Sequence, residues 1–462
     1  MLNAPFRLSI LVLLSFVTSM QLMAGDQLDV DIQAMDRPKL DAVNNYNLLI
    51  KQLATEHGPY DQRLSEPLLA LGHALKEAGD YSEAVDIFSR AMHVVRINEG
   101  LYNVKQIPIL ENIIECNTAL GNWDDIDDEY HYLLWVYDKT FTEPDPAKLN
   151  AIDKAINWHL SAFSLPTRKL PARHLLDARD LNETALEMAE KLYGESGTEL
   201  PSRLYKLALA DYFIAVGIQR EGETGLILTN SLQIMNRHVS YHMLGKELVG
   251  KIYRKGIKTL NRIDLIYKNS TNSTFEKEAM AIVYLADWHL LFNKRGTAFR
   301  LYRKAYEILK SGGMSEKKIN KYFDRPVILP IENFSPSLDS YSADRYNHVQ
   351  LVTADDPNMI GIIKDREKLY VSWSDSLPGL GFPSMKNLDI SQLRQDRYAL
   401  AIFDISEKGW AEDIHIIEYN PDTAAFESQA QEALWSIQFR PKLVNGEAVS
   451  GRKYGLYYFI PE

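Results

Sequence analysis

The sequence predicts a mainly α fold, an α-solenoid followed by a small α+β C-terminal domain. Two observations predict it. Up to about residue 325, apolar residues recur at the 3.6-residue period of α-helices, and short hinges with glycine separate the helical patterns. After Pro330, strand-like runs separated by turn residues replace this pattern. A chain of 462 residues is long enough for about two to four domains, each with a buried core of its own.

The clearest repeat unit lies between residues 68 and 91, where two helical patterns meet at a hinge around Gly79. Small side chains at Gly72 and Ala84 allow the two helices to approach closely, and Phe88 fills the space between them. An ordinary helical hairpin is the alternative interpretation. The stretch resembles a tetratricopeptide (TPR) repeat, whose signature has the same residue types at these offsets. The signature residues are Leu68, Leu71, Gly72, Tyr81, Ala84, Phe88 and Ala91.

Further units of this kind are expected along the chain. A second hinge at Gly121 comes 42 residues after Gly79, which is about two helical turns more than the usual TPR period. Because one TPR unit cannot bury its apolar face alone, we expect a TPR-like helical array over residues 25–325. The resemblance implies a scaffold that binds a segment of another protein. The signature returns late in the array at Ala298, Tyr302 and Ala305.

The N-terminus has the layout of a secretory signal peptide. Arg7 precedes an apolar run at residues 8–17, and small residues follow near Ala24. We therefore expect residues 1–24 to be removed on export. An uncleaved anchor in the inner membrane is the alternative, because Leu22 is large for its place in a cleavage site.

Cys116 is the only cysteine in the chain, so no internal disulfide is possible. It lies in a predicted helix, where a small core residue is the expected role. An exported protein without disulfides favours the periplasm of a Gram-negative bacterium over a eukaryotic secretory route.

The C-terminal domain is expected at residues 398–462, after a linker with extra strands at residues 326–397. A hairpin, an amphipathic helix and a last alternating strand follow one another at residues 398–419, 426–437 and 453–460. Strand, strand, helix and strand in this order predict an α+β unit whose helix covers one face of the sheet.

This unit resembles the C-terminal domain of TonB proteins, mainly through Phe-Arg-Pro at residues 439–441 and Asn-Gly at residues 445–446. In that family an exposed edge strand captures an extended segment of a partner by β-augmentation. The resemblance makes residues 453–459 the candidate open edge of a three-stranded sheet. The long Pro-rich spacer with which energy transducers cross the periplasm is missing. The candidate partner contacts are Tyr454, Tyr457 and Tyr458, for which plain sheet residues are the alternative.

No catalytic or metal-binding motif stands out in the sequence. The net charge of −11 argues against a general nucleic-acid binder, which needs a basic field to neutralise phosphates. The histidines form no His-Glu-x-x-His pair, and no phosphate-binding glycine loop or nucleophile elbow is present. The acidic run at residues 124–129 opens a helix and complements its dipole. His73 and His289 are expected to pack inside the repeats.

These features predict a non-enzymatic adaptor of the periplasm. Its TPR solenoid binds a protein segment, and its TonB-like domain binds a partner strand from a cell-envelope or outer-membrane protein. No cofactor, metal or small-molecule substrate is expected. The first alternative is an energy transducer of the TonB type, anchored in the inner membrane and contacting outer-membrane transporters. The second is an enzyme that uses the groove between the two domains.

Overall fold

A computed structural model gives the fold, and its described residues fall into two compact units that divide between Ala155 and Ile156. The boundary expected near residue 325 therefore lies inside the second unit. The signal-like residues 1–24 and most of the expected linker lie outside the described residues. The described residues are 37–163, 171–219, 227–228, 231, 241–270, 273–331, 334–338, 352–353, 398–420, 422–435 and 437–459.

The first unit is a series of helices joined by short loops, as the apolar periodicity predicts. The first five helices pack in chain order, each against the next one. A single turn of 3-10 helix at Gln62–Leu64 precedes the second helix. The helices are α1 (Arg37–His57), α2 (Ser65–Ala78), α3 (Tyr81–Glu99), α4 (Gln106–Leu120), α5 (Trp123–Thr140) and the first part of α6 (Pro146–Phe163).

Both predicted hinges are helix–helix turns at glycines with left-handed backbone. Gly79 has φ of 84° and follows the last residue of α2, while Gly121 has φ of 72° and follows α4. This conformation costs glycine little and disfavours residues with a Cβ. Asp80 then begins α3, because its side chain accepts a hydrogen bond from the Glu83 amide at 3.3 Å. The two hairpins α2–α3 and α4–α5 are therefore fixed locally.

The close approach predicted at Gly72 is present between α2 and α3. A Cβ on Gly72 would lie 2.5 Å from Cε1 of Phe88, whose side chain is fully buried. Cys116 is also fully buried, in agreement with a core role. The expectation for His73 is wrong, since this residue is exposed; its ring makes a T-shaped contact with Phe88.

The second unit continues the helical series. The helix α8 (Leu200–Gln219) is buried on every side from Leu207 to Ile218, because nearly all residues of that stretch are apolar. Among the helices of the described residues, none combines the length and the apolarity that a bilayer crossing requires. The helices are the rest of α6, α7 (Pro171–Tyr193), α8 (Leu200–Gln219), α9 (Tyr241–Asn269), α10 (Phe275–Leu291), α11 (Arg295–Ser311) and α12 (Glu316–Tyr322).

Strands follow the last helices and form a small α+β region, as the sequence predicts. Its main sheet is antiparallel, and its strands lie in the order β2 (Val352–Thr353), β8 (Gly451–Phe459), β3 (Tyr398–Ile405) and β4 (Ala411–Asn420). One helix, α13 (Ala424–Trp435), supplies Phe426 and Leu434 to a core shared with Phe403 and Phe439. The strands are β1 (Val327–Ile328), β2 (Val352–Thr353), β3 (Tyr398–Ile405), β4 (Ala411–Asn420), β5 (Phe439–Arg440), β6 (Lys442–Val444), β7 (Glu447–Val449) and β8 (Gly451–Phe459).

The last strand, β8, is not the open edge of a three-stranded sheet. It pairs with β3 along its length and with β2 on its other side, where Thr353 lies opposite Tyr454 and Val352 opposite Gly455. The sheet has a fourth strand because residues 352–353, within the expected linker, join it. Among the described strands, β4 ends the sheet on the other side.

The strands β5, β6 and β7 dock on the helices α10 to α12. The guanidinium of Arg440 contacts the carboxylate of Asp287 through two nitrogens, Nε and Nη2. Nε lies 2.8 Å from Oδ1. Both residues are buried, and the Tyr302 hydroxyl donates a further hydrogen bond of 2.5 Å to Asp287. The side-chain oxygen of Asn445 accepts a hydrogen bond of 2.9 Å from Asn320. The C-terminal strands are thus part of the same compact unit as the late helices.

A tight turn brings Asn445 to this position. Asn445 and Gly446 have φ of 54° and 80°, and they join β6 to β7 as the two central residues of a hairpin. Asn-Gly is the residue pair that such two-residue hairpins favour. A Cβ on Gly446 would lie 2.9 Å from Cβ of Tyr306, so glycine also permits the close approach to α11.

Candidate binding groove

A groove of about 800 Å³ opens in the first unit between α3 and α5, with α4 as its floor. The loop before α2 closes one end. There the Asn98 side chain donates a hydrogen bond of 2.7 Å to the Tyr60 carbonyl oxygen, which fixes the loop against α3. The lining residues are Pro59, Tyr60, Ser89, Arg90, Met92, His93, Arg96, Leu110, Ile113, Asp128, Glu129 and Tyr132.

The α3 wall of the groove carries three basic side chains. Arg90, His93 and Arg96 recur every three residues, which places them on one face of the helix. Arg96 is held in place, because its Nε donates to Oε1 of Gln106 at 3.0 Å and its guanidinium lies 4.7 Å from the centre of the Tyr132 ring. In contrast, Arg90 makes no ion pair or hydrogen bond within the part of the chain that the structure describes.

Gln106 ties the two walls together from the first turn of α4. Its side chain is fully buried, and Oε1 also accepts a hydrogen bond of 2.7 Å from the Tyr132 hydroxyl. Nε2 donates to the Leu101 carbonyl oxygen at 2.8 Å. A buried amide with its partners satisfied is a rigid support. Arg96 and Tyr132 therefore present a fixed cation–ring pair at the mouth of the groove.

The α5 wall is acidic. Asp128 is exposed, and it makes no ion pair or hydrogen bond with any residue that the structure describes. Glu129 is half-buried; its Oε1 accepts a hydrogen bond of 2.7 Å from Asn117, whereas its Oε2 is buried without a partner. Burial raises the pKa of Glu129 to about 7, and the nearby Asp125 and Asp128 act in the same direction. Glu129 is thus partly protonated at neutral pH.

Exposed aromatic and apolar side chains surround the mouth of the groove. Trp135 stacks on Tyr132 with ring centres 5.5 Å apart, and Tyr102 lies 5.2 Å from Trp135. Tyr102 and Trp135 leave 57% and 37% of their surface in water, and Ile97 and Leu101 beside them are also exposed. Contiguous exposed apolar surface of this kind marks interaction sites, and Tyr, Trp and Arg are the residues that dominate them.

The groove offers binding chemistry and no assembled catalytic group. Ser89 and His93 lie one helical turn apart on α3, but no hydrogen bond joins them. His289, predicted to be packed, is indeed buried, and its Nδ1 lies 2.8 Å from the Tyr253 hydroxyl. A buried histidine pair went unnoticed in the sequence: Nδ1 of His159 lies 3.0 Å from Nδ1 of His174. At this distance one imidazole nitrogen donates a hydrogen bond to the other, and nitrogen ligands of this kind also suit zinc or copper.

The predicted TPR signature residues form the core of the helix pairs and do not line the groove. Most are fully buried, Tyr81 is half-buried, and Tyr302 and Ala305 are buried on α11. They determine how the helices pack, while their neighbours determine what is bound. Tyr454, Tyr457 and Tyr458 lie on β8, and their side chains fall outside the described residues. The buried signature residues are Leu68, Leu71, Gly72, Ala84, Phe88, Ala91, Ala298, Tyr302 and Ala305.

Comparisons with known proteins give only structural likenesses. No family model matches the chain, and no curated protein matches it. A kinesin light chain candidate of Podosopora anserina, built from nearly identical TPR-like repeats, is 12% identical at a TM-score of 0.34, covering 55% of this chain and 98% of its own. BtubC (BKLC) from P. vanneervenii is 13% identical at a TM-score of 0.30, covering 62% of this chain and 94% of its own. The TPR-like character of this chain rests on its own helix pairs.

Proposed function

We propose that the chain is a protein–protein interaction scaffold whose groove between α3 and α5 binds a segment of a partner protein. The observation that carries this proposal is the aromatic rim beside a groove with an apolar floor. The rim consists of the exposed Tyr102 and Trp135 and the half-buried Tyr132. Large rigid rings lose little side-chain entropy on binding and bury much surface. The fixed Arg96–Tyr132 pair adds an ordered contact, so little reorganisation is needed when the partner arrives.

The finer role that we propose is that of an adaptor in the periplasm of a Gram-negative bacterium. The signal-like layout of residues 1–24 and the absence of a possible disulfide support this location. Mass spectrometry of the mature protein tests it. We expect the N-terminus at or near Gly25, whereas a chain that still starts at Met1 would contradict cleavage and favour an anchored protein.

For the C-terminal α+β region we propose a TonB-like role, the capture of a partner strand. Since β8 is paired on both sides at Tyr454 and Gly455, the edge that suits such capture among the described strands is β4. The fork of Arg440 and the turn at Asn445, which carry the resemblance in the sequence, contact the late helices. They therefore serve docking within the chain.

Site-specific photo-crosslinking tests the groove as the binding site. A photoreactive phenylalanine analogue replaces Tyr102 at the rim or, as the matched control, Tyr193, an exposed tyrosine at the end of α7. We expect irradiation of intact cells to give a discrete protein adduct at position 102 and none at position 193. The adduct should disappear when Trp135 is replaced by Ser. Adducts of equal yield at both positions would contradict the proposal.

A further inference from the structure

The two walls of the groove differ in the sign of their charge, and this difference limits what the groove can bind. Arg90 on α3 and Asp128 on α5 both line it, and neither forms an ion pair with any described residue. If the charges of the two walls served only to neutralise each other, Arg90 and Asp128 would form an ion pair across the groove. They instead remain available to a ligand.

The other charged groups of the groove are already engaged within the chain. Arg96 is hydrogen-bonded to Gln106 and lies over Tyr132. Glu129 accepts from Asn117 with one oxygen, and its other oxygen is buried. The selective charges are therefore one cation, Arg90, and one anion, Asp128. His93 is exposed on the same wall, one helical turn from Arg90.

The floor between the two charges is apolar. Met92 is buried on α3, and Leu110 and Ile113 are buried on α4. Methionine adapts its shape to a neighbouring side chain, so this floor suits an apolar anchor of variable outline. An apolar anchor carries no charge, so it would not use the opposite charges of the two walls. Selectivity must therefore come from charged residues beside the anchor.

We propose that the groove selects a segment with an apolar anchor that carries an acidic side chain toward Arg90 and a basic side chain toward Asp128. The proposal rests on the proposed function and names the class of segment that this groove takes. Arginine recognises a carboxylate through two parallel hydrogen bonds, and Asp128 pairs with lysine or arginine. Although the net charge of −11 suggests basic ligands for the chain as a whole, a uniformly basic segment would face Arg90 and be disfavoured.

Selection of peptides against the full chain tests this inference. A displayed library of random dodecapeptides is enriched on the wild-type chain after depletion on a Tyr102→Ser, Trp135→Ser double variant. This variant removes the two exposed rings of the rim and should keep the fold, because neither side chain is buried. We expect the enriched sequences to share an apolar residue with one acid and one base near it. Isothermal titration should then give a loss of affinity of about tenfold or more for Arg90→Glu and for Asp128→Lys.

Compensating peptides and matched variants make the outcome specific. Exchange of the acid of the peptide for Lys should restore binding to Arg90→Glu, and exchange of its base for Glu should restore binding to Asp128→Lys. Lys51→Glu and Asp86→Lys change the net charge equally at exposed positions outside the groove, and they should leave the affinity unchanged.

The results separate the two proposals. The inference would be overturned if the rim-dependent peptides were uniformly charged or uncharged. It would also be overturned if both groove variants bound within twofold of the wild-type affinity. In either case the groove would remain a binding site. If no peptide depends on the rim, the proposed function fails and the inference fails with it.

Discussion

Replacement of Arg440 by Met should strongly destabilise the second unit. Arg440 and Asp287 are 1% and 4% exposed. The change therefore leaves a buried carboxylate whose remaining hydrogen-bond donor, among the described residues, is the Tyr302 hydroxyl. Removal of one partner of a buried ion pair costs about 3–5 kcal/mol, because the remaining charge is no longer compensated. Since Arg440 comes from β5 and Asp287 from α10, the loss should weaken the docking of the strands on the helices.

An exposed ion pair in the same interface provides the control. Arg303 lies 3.3 Å from Glu447, and both side chains are more than half exposed. Pairs of this kind contribute about 0–1 kcal/mol, so Arg303→Met should change little. A double variant, Asp287→Asn with Arg440→Met, should be less destabilised than Arg440→Met alone, because no charge remains buried without a partner.

Amide hydrogen exchange measures these effects locally. The free energy of opening is determined for the amides of α10 and β5 in each variant under native conditions. We expect Arg440→Met to lower it by about 3 kcal/mol or more, and Arg303→Met by less than about 1 kcal/mol. Equal, small effects of the two variants would refute the buried ion pair and the docking that it stabilises.

Two further predictions concern the first unit, and the first of them takes its control, Gly296 on α11, from the second unit. Gly72→Ala should lower the free energy of unfolding of the first unit by about 1–3 kcal/mol, because the new Cβ would overlap the Phe88 ring. Gly296→Ala, on open helix surface, should instead raise stability by about 0.5–1 kcal/mol. Thermal unfolding that ranks the two variants in the opposite order would refute the helix contact. Glu129 has a pKa raised from 4.5 to about 7, so the folded chain holds a proton that the unfolded chain releases, and stability should fall as the pH rises through this window. Urea unfolding at pH 5 and pH 8 should show this loss in the wild type and a smaller one in Glu129→Gln; equal losses in both would remove Glu129 as its source.

Local patterns predict the helical part of this fold well. The hinges at Gly79 and Gly121 are determined by local sequence, since a glycine with left-handed backbone ends one helix and the next helix begins within two positions. The hairpin β3–β4 and the helix α13 are equally local. Their boundaries agree with the predicted ones to within about two residues, because turn residues mark each end.

Local sequence patterns do not predict contacts between residues that are far apart in the chain. The strand β2 joins β8 from about one hundred positions upstream, and nothing in residues 352–353 specifies this pairing. Arg440 and Asp287 are 153 positions apart, so their ion pair is visible only in three dimensions. On the surface, the spacing of Arg90, His93 and Arg96 is a usable signal, but a solvated helix face has the same pattern.

The groove was missed for a related reason. Tyr102 belongs to a loop and Trp135 to a helix, and only packing brings their rings together. The acidic run at residues 124–129 was assigned to the helix dipole, and Asp124 and Asp125 do lie in the first turn of α5. Asp128 and Glu129 lie one turn later, where they face the groove.

Hydrogen exchange of the full chain with and without its bound partner segment tests the central claim most directly. The claim is that the groove between α3 and α5 holds the segment. It predicts slower exchange on binding in Tyr81–Glu99 and Trp123–Thr140, with α10 and α11 unchanged. Slower exchange confined to the second unit, with α3 and α5 unaffected, would contradict it.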